Sequence, residues 1–249
     1  MNMKTYGLIG FPLSHSFSKK YFTEKFLDEG IVDHQYELYP IEHIQSLPEL
    51  LSNNPTLSGL NVTIPHKVSV LPFLNEIDEA AEKIGAVNCI CVNRLEGEIH
   101  LKGYNTDAFG FEKSLSPLLQ QQHTKALVFG DGGAAKAVKY VLEKLNIEYQ
   151  IVVRTPVNNA ILYTEITPEI LESHKLLINT TPLGMSPNQE TFPEIDYTQI
   201  GDQHLAYDLV YNPLETAFLS KAAAQGATIK NGLKMLHQQA EKAWAIWNQ

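Results

Sequence analysis

Along the 249-residue chain, short apolar runs alternate with longer amphipathic stretches. Runs at 6–9, 35–38, 59–64, 88–92 and 99–102 read as strands, and stretches near 19–29, 42–51 and 76–84 read as helices. The pattern pauses at 103–107, and 108–121 reads as one amphipathic connecting helix. A second series then opens. A fully apolar strand at 126–129 is followed by a glycine loop and a helix at 135–145, with further strands at 149–153, 176–179, 205–209 and 227–229. Residues 214–225 and 232–247 read as helices. Strands alternating with helices predict an α/β fold with crossover helices, and the pause predicts two α/β domains joined near 106–122. The first domain is expected over 1–105 and the second over 106–232, with the terminal helix 233–249 packing back on the first.

The glycine loop carries the first chemical signal. Gly130-Asp131-Gly132-Gly133-Ala134-Ala135 matches G-x-G-x-x-G/A directly between a strand and a helix. Glycines permit the tight turn and the close approach of backbone to a pyrophosphate, while the helix N-terminus offers amide donors and a positive dipole end. The second domain is therefore expected to be a Rossmann-like, doubly wound, dinucleotide-binding domain. The end of its second strand separates cofactors, because an enzyme using NAD places Asp or Glu there for the ribose 2′-hydroxyl. Here the strand ends Val152-Val153-Arg154-Thr155 with no acid, and the planar guanidinium of Arg154 suits a 2′-phosphate. NADP is the expected cofactor. Asp131 is an awkward neighbour for a pyrophosphate, since like charges repel.

Polar residues in the first half gather at strand ends and turns. They include His15-Ser16-Phe17-Ser18 after the first strand, Asn61 through Lys67 across the end of another, Gly85-Ala86-Val87-Asn88, and Asn105-Thr106-Asp107 at the domain junction. Asn61 and Thr63 share a face by the strand period of two. Ligands of open α/β sheets bind at the carboxyl ends of strands. Hydroxyls, amides, one lysine and one aspartate suit a small polyhydroxylated compound. Taken singly, Ser16 and Ser18 also read as helix caps, Lys67 as a solvated lysine, and Asp107 as a cap.

With these residues in view, the chain resembles the shikimate dehydrogenase family over nearly its whole length. The resemblance rests on the motifs above together with Asn179-Thr180-Thr181-Pro182-Leu183-Gly184-Met185, Tyr207-Asp208-x-x-Tyr211-x-Pro213-x-x-Thr216, and Gly232-Leu233-x-Met235-Leu236-x-x-Gln239. It implies NADP-dependent, reversible reduction of 3-dehydroshikimate to shikimate in aromatic amino-acid (chorismate) biosynthesis. By the same resemblance, Lys67 and Asp107 are catalytic. Ser16, Ser18 and Tyr211 bind the substrate carboxylate, and Thr63, Asn88, Asp107 and Gln239 bind ring hydroxyls. Gly130, Asp131, Gly132, Gly133, Ala134, Arg154, Thr155, Leu209 and Gly232 line the cofactor, with Glu79 on the nicotinamide side. Hydride addition to a ketone builds negative charge on oxygen, so a positioned ammonium that donates a proton lowers the barrier. In the oxidative direction a neutral lysine must accept that proton, so activity is expected to rise with pH.

The chain also departs from the family. The usual Asn-Arg-Thr is Val153-Arg154-Thr155, and the second basic position is Asn158, which leaves one arginine for the 2′-phosphate. Segment 156–173 lacks the pattern of a full crossover helix, so an abbreviated edge is expected there.

Composition narrows the class further. With 19 basic against 28 acidic residues the net charge is −9, so nucleic acid, a repelled polyanion, is not an expected partner. No run approaches the roughly 18 apolar residues of a membrane span. Only Cys89 and Cys91 occur, which suits a reducing cytoplasm, and as buried thiols on one strand face they are not expected to hold a metal. Trp244 and Trp247 read as core contacts of the last helix, and His15 and His66 as packing or hydrogen-bonding residues of their loops. A quinate/shikimate dehydrogenase using NAD, a folate-type methylene dehydrogenase and a non-catalytic nucleotide-sensing module stand as alternatives. The pair of serines and Arg154 weigh against the first, the polyol-binding set against the second, and the presence of Lys67 and Asp107 against the third.

Overall fold

A computed structural model describes residues 3–13, 16–95 and 97–249. The chain divides into two units, 1–106 with 240–249, and 107–239. In chain order the first unit contains β1 (Lys4–Gly10), α1 (Phe17–Asp28), β2 (His34–Pro40), α2 (Leu47–Asn53), β3 (Leu57–Val62), α3 (His66–Ser69), β4 (Glu76–Ile77), α4 (Glu79–Ile84), β5 (Cys89–Leu95) and β6 (Glu98–Tyr104). Helix α5 (Thr106–Leu115) leads into the second unit. There follow β7 (Lys125–Phe129), α6 (Gly133–Lys144), β8 (Glu148–Val153), β9 (Ala160–Leu162), α7 (Pro168–Ser173), β10 (Leu176–Asn179), β11 (Leu205–Asp208), α8 (Ala217–Ala223) and β12 (Thr228–Lys230). Helix α9 (Leu233–Trp247) begins in the second unit, and its last residues belong to the first. Among the described residues no helix is long and apolar enough to cross a membrane.

The first sheet is mixed, in the order β2-β1-β3-β5-β6-β4. Strands β1, β2 and β3 run parallel, and β5 runs antiparallel to both β3 and β6. One face of the sheet packs on an aliphatic cluster that includes Leu47, Leu60, Val87 and Ile90. A second cluster is aromatic and recruits α9: Tyr6, Phe22, Phe26 and Tyr36 pack with Ala240, Ala243, Ile246 and Trp247. Cys89 is buried in this cluster and Cys91 packs against it. Tyr6 stacks on Trp247 with centroids 4.8 Å apart, and the indole Nε1 donates to the Ile90 carbonyl at 3.0 Å. Trp244, partly buried, packs against the same cluster, so both tryptophans make core contacts.

The second sheet is parallel throughout, in the order β12-β11-β10-β7-β8-β9. Counted within this unit, that is the doubly wound order 3-2-1-4-5-6 seen from its other edge, and the order reverses between β7 and β10. Ligands of such sheets bind beyond the strand ends at that reversal.

Several elements differ from the pattern expected of the sequence, each for a local reason. The helix expected over 76–84 is split: Glu76–Ile77 adds a two-residue strand, and the Asp78 carboxylate caps α4 by accepting from Ala80 N at 3.1 Å. The helix expected over 42–51 starts as a 3-10 turn at Ile44–Ser46 and continues to Asn53. Helix α5 gives way to a 3-10 turn at Ser116–Leu118, where Pro117 cannot supply a backbone donor. The helix expected from 214 starts at Ala217, because Thr216 caps it by accepting from Leu219 N at 3.3 Å. Segment 156–173, expected to be an abbreviated edge, holds the three-residue strand β9 and the six-residue helix α7.

Strand β3 can pass beneath Trp247 only because residue 59 has no side chain. A Cβ there would lie 2.5 Å from indole Cδ1 and 2.6 Å from Cε2. The ring is pinned by its stacking and its hydrogen bond and cannot swing aside. Gly59→Ala is therefore expected to destabilise the first unit by about 1–3 kcal/mol, measured by urea unfolding; unchanged stability would show that the indole is free to move.

Candidate active site

In the first unit the polar motifs are joined by buried amides. The Tyr36 hydroxyl donates to Asn61 Oδ1 at 2.8 Å, and Asn61 Nδ2 reaches the Asn88 carbonyl at 3.4 Å. Asn88 is engaged at both ends of its amide: Oδ1 accepts from Thr106 N at 2.6 Å, and Nδ2 donates to Thr106 Oγ1 at 3.0 Å. Asn105 Nδ2 donates to the Ala86 carbonyl at 3.0 Å, and Val87 N donates to the Lys67 carbonyl at 2.8 Å. Segments 61–67, 85–88 and 105–106 are thus tied together. Gly85 makes the bend possible, with φ +65° in the left-handed region at the end of α4.

The individual site residues sit as follows. Lys67 is half-buried on the short helix α3, and Thr63 is half-buried just before it. Ser16 occupies the N-cap position of α1 but makes no cap bond, and its hydroxyl oxygen is buried with no hydrogen-bond partner among the described residues. Ser18 is hydrogen-bonded to the Tyr36 phenol, which burial holds well above its ordinary pKa. His15 lies outside the described residues. His66 is buried, and its Nε2 is 2.8 Å from the Ile41 carbonyl. Glu79, in the first turn of α4, is exposed and paired with Lys83 at 2.6 Å, which holds its carboxyl below the usual range.

In the second unit Asp107 lies in the first turn of α5 and is half-buried. Gln239, on α9, is buried. These two helices meet backbone to backbone at Gly110, where a Cβ would lie 2.5 Å from the Met235 carbonyl oxygen. Gly110 permits this approach, and a glycine inside a helical pattern is its sequence signal. Tyr211 is half-buried, and burial raises its phenol pKa.

A cavity of about 460 Å³ opens at the sheet reversal, with Gly130, Asp131, Arg154, Thr155, Thr181 and Leu183 in its lining. Gly130 turns the chain out of β7 at φ +96°, and a Cβ there would lie 2.8 Å from Thr181 Cγ2. At Gly132 and Gly133 a Cβ would meet nothing within 4 Å, so the backbone at the start of α6 faces open space. Ala134 follows in the same turn, which carries no acidic residue. Asp131, the awkward carboxylate, is paired with Lys139 of α6 at 2.6 Å, so its charge is offset within the unit. This donor set fits the pyrophosphate of a dinucleotide. Gly232 and Leu209 pack on each other instead: a Cβ at 232 would collide with the Leu209 backbone, 2.6 Å from its carbonyl carbon.

Beneath the cavity lies a polar network that the motifs contained but to which sequence reasoning gave no role. Asp208, at the end of β11, accepts from Asn179 Nδ2 (3.0 Å), Val210 N (2.9 Å) and Thr216 Oγ1 (2.6 Å). Asn179 Oδ1 in turn accepts from Thr181 N and Thr181 Oγ1, and Asn179 Nδ2 also reaches the Leu183 carbonyl. Thr180 Oγ1 donates to the Phe129 carbonyl at 2.7 Å, directly before the glycine loop. Burial pushes the Asp208 carboxyl up to about 6, against the three donors.

A doubly wound parallel sheet with an open glycine loop at its reversal defines a dinucleotide-binding protein, here joined to a second α/β unit. Residues 8–90 match the model of the shikimate dehydrogenase substrate binding domain. The chain is 36% identical to the shikimate dehydrogenase (NADP(+)) of Methanosphaera stadtmanae, over 97% of this chain and 90% of that protein. It is similar to the structure of the Thermus thermophilus shikimate 5-dehydrogenase in complex with NADP(H) and shikimate, with a TM-score of 0.84, 30% identity and coverage of 98% and 93%. It is also similar to the Corynebacterium glutamicum quinate dehydrogenase in complex with NAD, with a TM-score of 0.86, 25% identity and coverage of 99% and 94%. The chain belongs to the shikimate dehydrogenase family.

The Asp208 network supports a test. Burial lifts the folded-state carboxyl above its unfolded value of about 4, so ionisation opposes folding. Its contribution is whole below that value and is lost as the pH rises through about 6. Thr216→Val removes the helix cap at every pH and one donor to the ionised carboxylate at high pH. The expected loss is about 2–4 kcal/mol at pH 8 and about 1–2 kcal/mol at pH 5, read by urea unfolding. Equal losses at the two pH values would show that Asp208 does not titrate between them.

Proposed function

We infer that this chain catalyses the NADP-dependent, reversible reduction of 3-dehydroshikimate to shikimate, a step in chorismate and aromatic amino-acid biosynthesis. One observation carries the reading: an open glycine loop at the sheet reversal, with Arg154 and no carboxylate closing the second strand, in a chain matched over nearly its full length by curated NADP(+) enzymes of that name. The exposed Arg154 makes no ion pair among the described residues and supports recognition of a 2′-phosphate. Cys89 and Cys91, which form no disulfide, suit a cytoplasmic setting.

Bound NADPH supplies the hydride. The protein's own part is to hold the ketone and manage the proton. We assign Lys67 to donate a proton to the carbonyl oxygen as it gains negative charge, and Asp107 to orient the reacting hydroxyl. Ser16 and Ser18, with Tyr211, are assigned to the substrate carboxylate; the buried, unsatisfied Ser16 hydroxyl supports this, since a buried donor without an acceptor is costly. Thr63 and Gln239 are assigned to ring hydroxyls. Asn88 shares that assignment, and its two bonds to Thr106 support a further duty, fixing the residue that precedes Asp107. Gly130 to Ala134, Thr155, Leu209 and Gly232 are assigned to the cofactor, with Glu79 on its nicotinamide side.

Lys67→Ala is expected to lower turnover of shikimate with NADP by about 10²–10⁴-fold while leaving shikimate binding within a few-fold of wild type. Wild-type turnover in that variant would remove Lys67 from the chemistry.

A further inference from the structure

The cofactor side poses a question of charge. The family pattern places a second basic residue at position 158, and here it is Asn158, so a 2′-phosphate at Arg154 would gain no second cation from that position. The fold brings another donor to that place. Val153 and Leu162 pair in the register of β8 and β9, so Arg154 and Tyr163 are the first residues beyond the carboxyl ends of these neighbouring parallel strands. Both line the dinucleotide cavity. The Tyr163 hydroxyl is buried and has no hydrogen-bond partner among the described residues.

We propose that the Tyr163 hydroxyl is the second group that reads the ribose 2′-phosphate of NADP, donating to a phosphate oxygen beside the Arg154 guanidinium. The inference rests on the NADP reading of this cavity and deepens it. The half-buried ring stacks on Phe129, with centroids 5.8 Å apart and an interplanar angle of 14°. Burial pushes the phenol up to about 12, against the opposing Arg154 charge and aided by the Glu194 carboxylate, so the hydroxyl keeps its proton at neutral pH and can donate to an anionic acceptor. A neighbouring cavity of about 480 Å³ shares Arg154 and Tyr163 but also carries Glu190 and Glu194. The glycine-loop side is the less acidic of the two, since the one acid in its lining, Asp131, is paired with Lys139. Strand β9 and the turn after it, standing where a full crossover helix was not expected, are what bring the tyrosine to this position.

The test is calorimetric titration of wild type, Tyr163→Phe and Arg154→Ala with adenosine 2′,5′-bisphosphate and with 5′-AMP, followed by NADP and NAD. Phenylalanine keeps the ring and its stacking, and a thermal melt checks folding. Tyr163→Phe is expected to weaken the bisphosphate and NADP by about tenfold, the effect of one hydrogen bond to a charged group, and to leave 5′-AMP and NAD within twofold. Unchanged bisphosphate binding, or equal losses for both ligand pairs, overturns the proposal. If Arg154→Ala abolishes discrimination while Tyr163→Phe keeps it, the role of Tyr163 alone fails. If wild type binds the bisphosphate no better than 5′-AMP, the NADP reading of the cavity fails and the proposal falls with it.

Discussion

Asp208 sits at the carboxyl end of β11 with Asn179, Val210 and Thr216 donating to it, and the dinucleotide side of the protein is arranged around that carboxylate. A buried carboxylate is tolerated only when its oxygens are satisfied, so the three donors cannot be moved independently. Through Asn179 the constraint passes to the Thr181–Leu183 turn, and through Thr180 it reaches the Phe129 carbonyl, one residue before the glycine loop. The loop is free to leave its amides open to a ligand because its entrance is held from below. The same Thr216 starts α8, which couples the cavity floor to the packing of the unit's core.

The first unit solves the same problem with neutral groups. Its polar segments are joined by amides and hydroxyls running from Tyr36 through Asn61 and Asn88 to Thr106. Neutral partners carry less desolvation cost than charges, so this network stays buried without shifting a carboxylate. Behind it the aromatic cluster holds α9 through Trp247, and that contact needs Gly59. One terminal helix therefore carries Gln239 in one unit and a core tryptophan in the other.

The parallel sheet of the second unit was readable because its central strands are short, fully apolar runs ending in glycine or asparagine. The runs at 126–129 and 176–179 coincide with β7 and β10 to within a residue. Elements that are small or polar were not readable: β4 has two residues, α3 has four, and β9 has three with no alternation to betray it. At the candidate site, residue types and their order were legible, but what each side chain touches was not. Sequence flagged Asp131 as an electrostatic difficulty, and its remedy, Lys139, lies eight positions away on the helix face. The buried duty of Asp208, the helix contact at Gly110 and the placement of Tyr163 all depend on which strands become neighbours, and a single chain does not state that locally.

The most direct test of the whole account is the nicotinamide absorbance of the wild-type protein with shikimate or quinate, each offered NADP or NAD. Turnover with shikimate and NADP is expected well above the other three combinations. Preference for quinate or for NAD would contradict it, as would silence in all four with NADPH still bound.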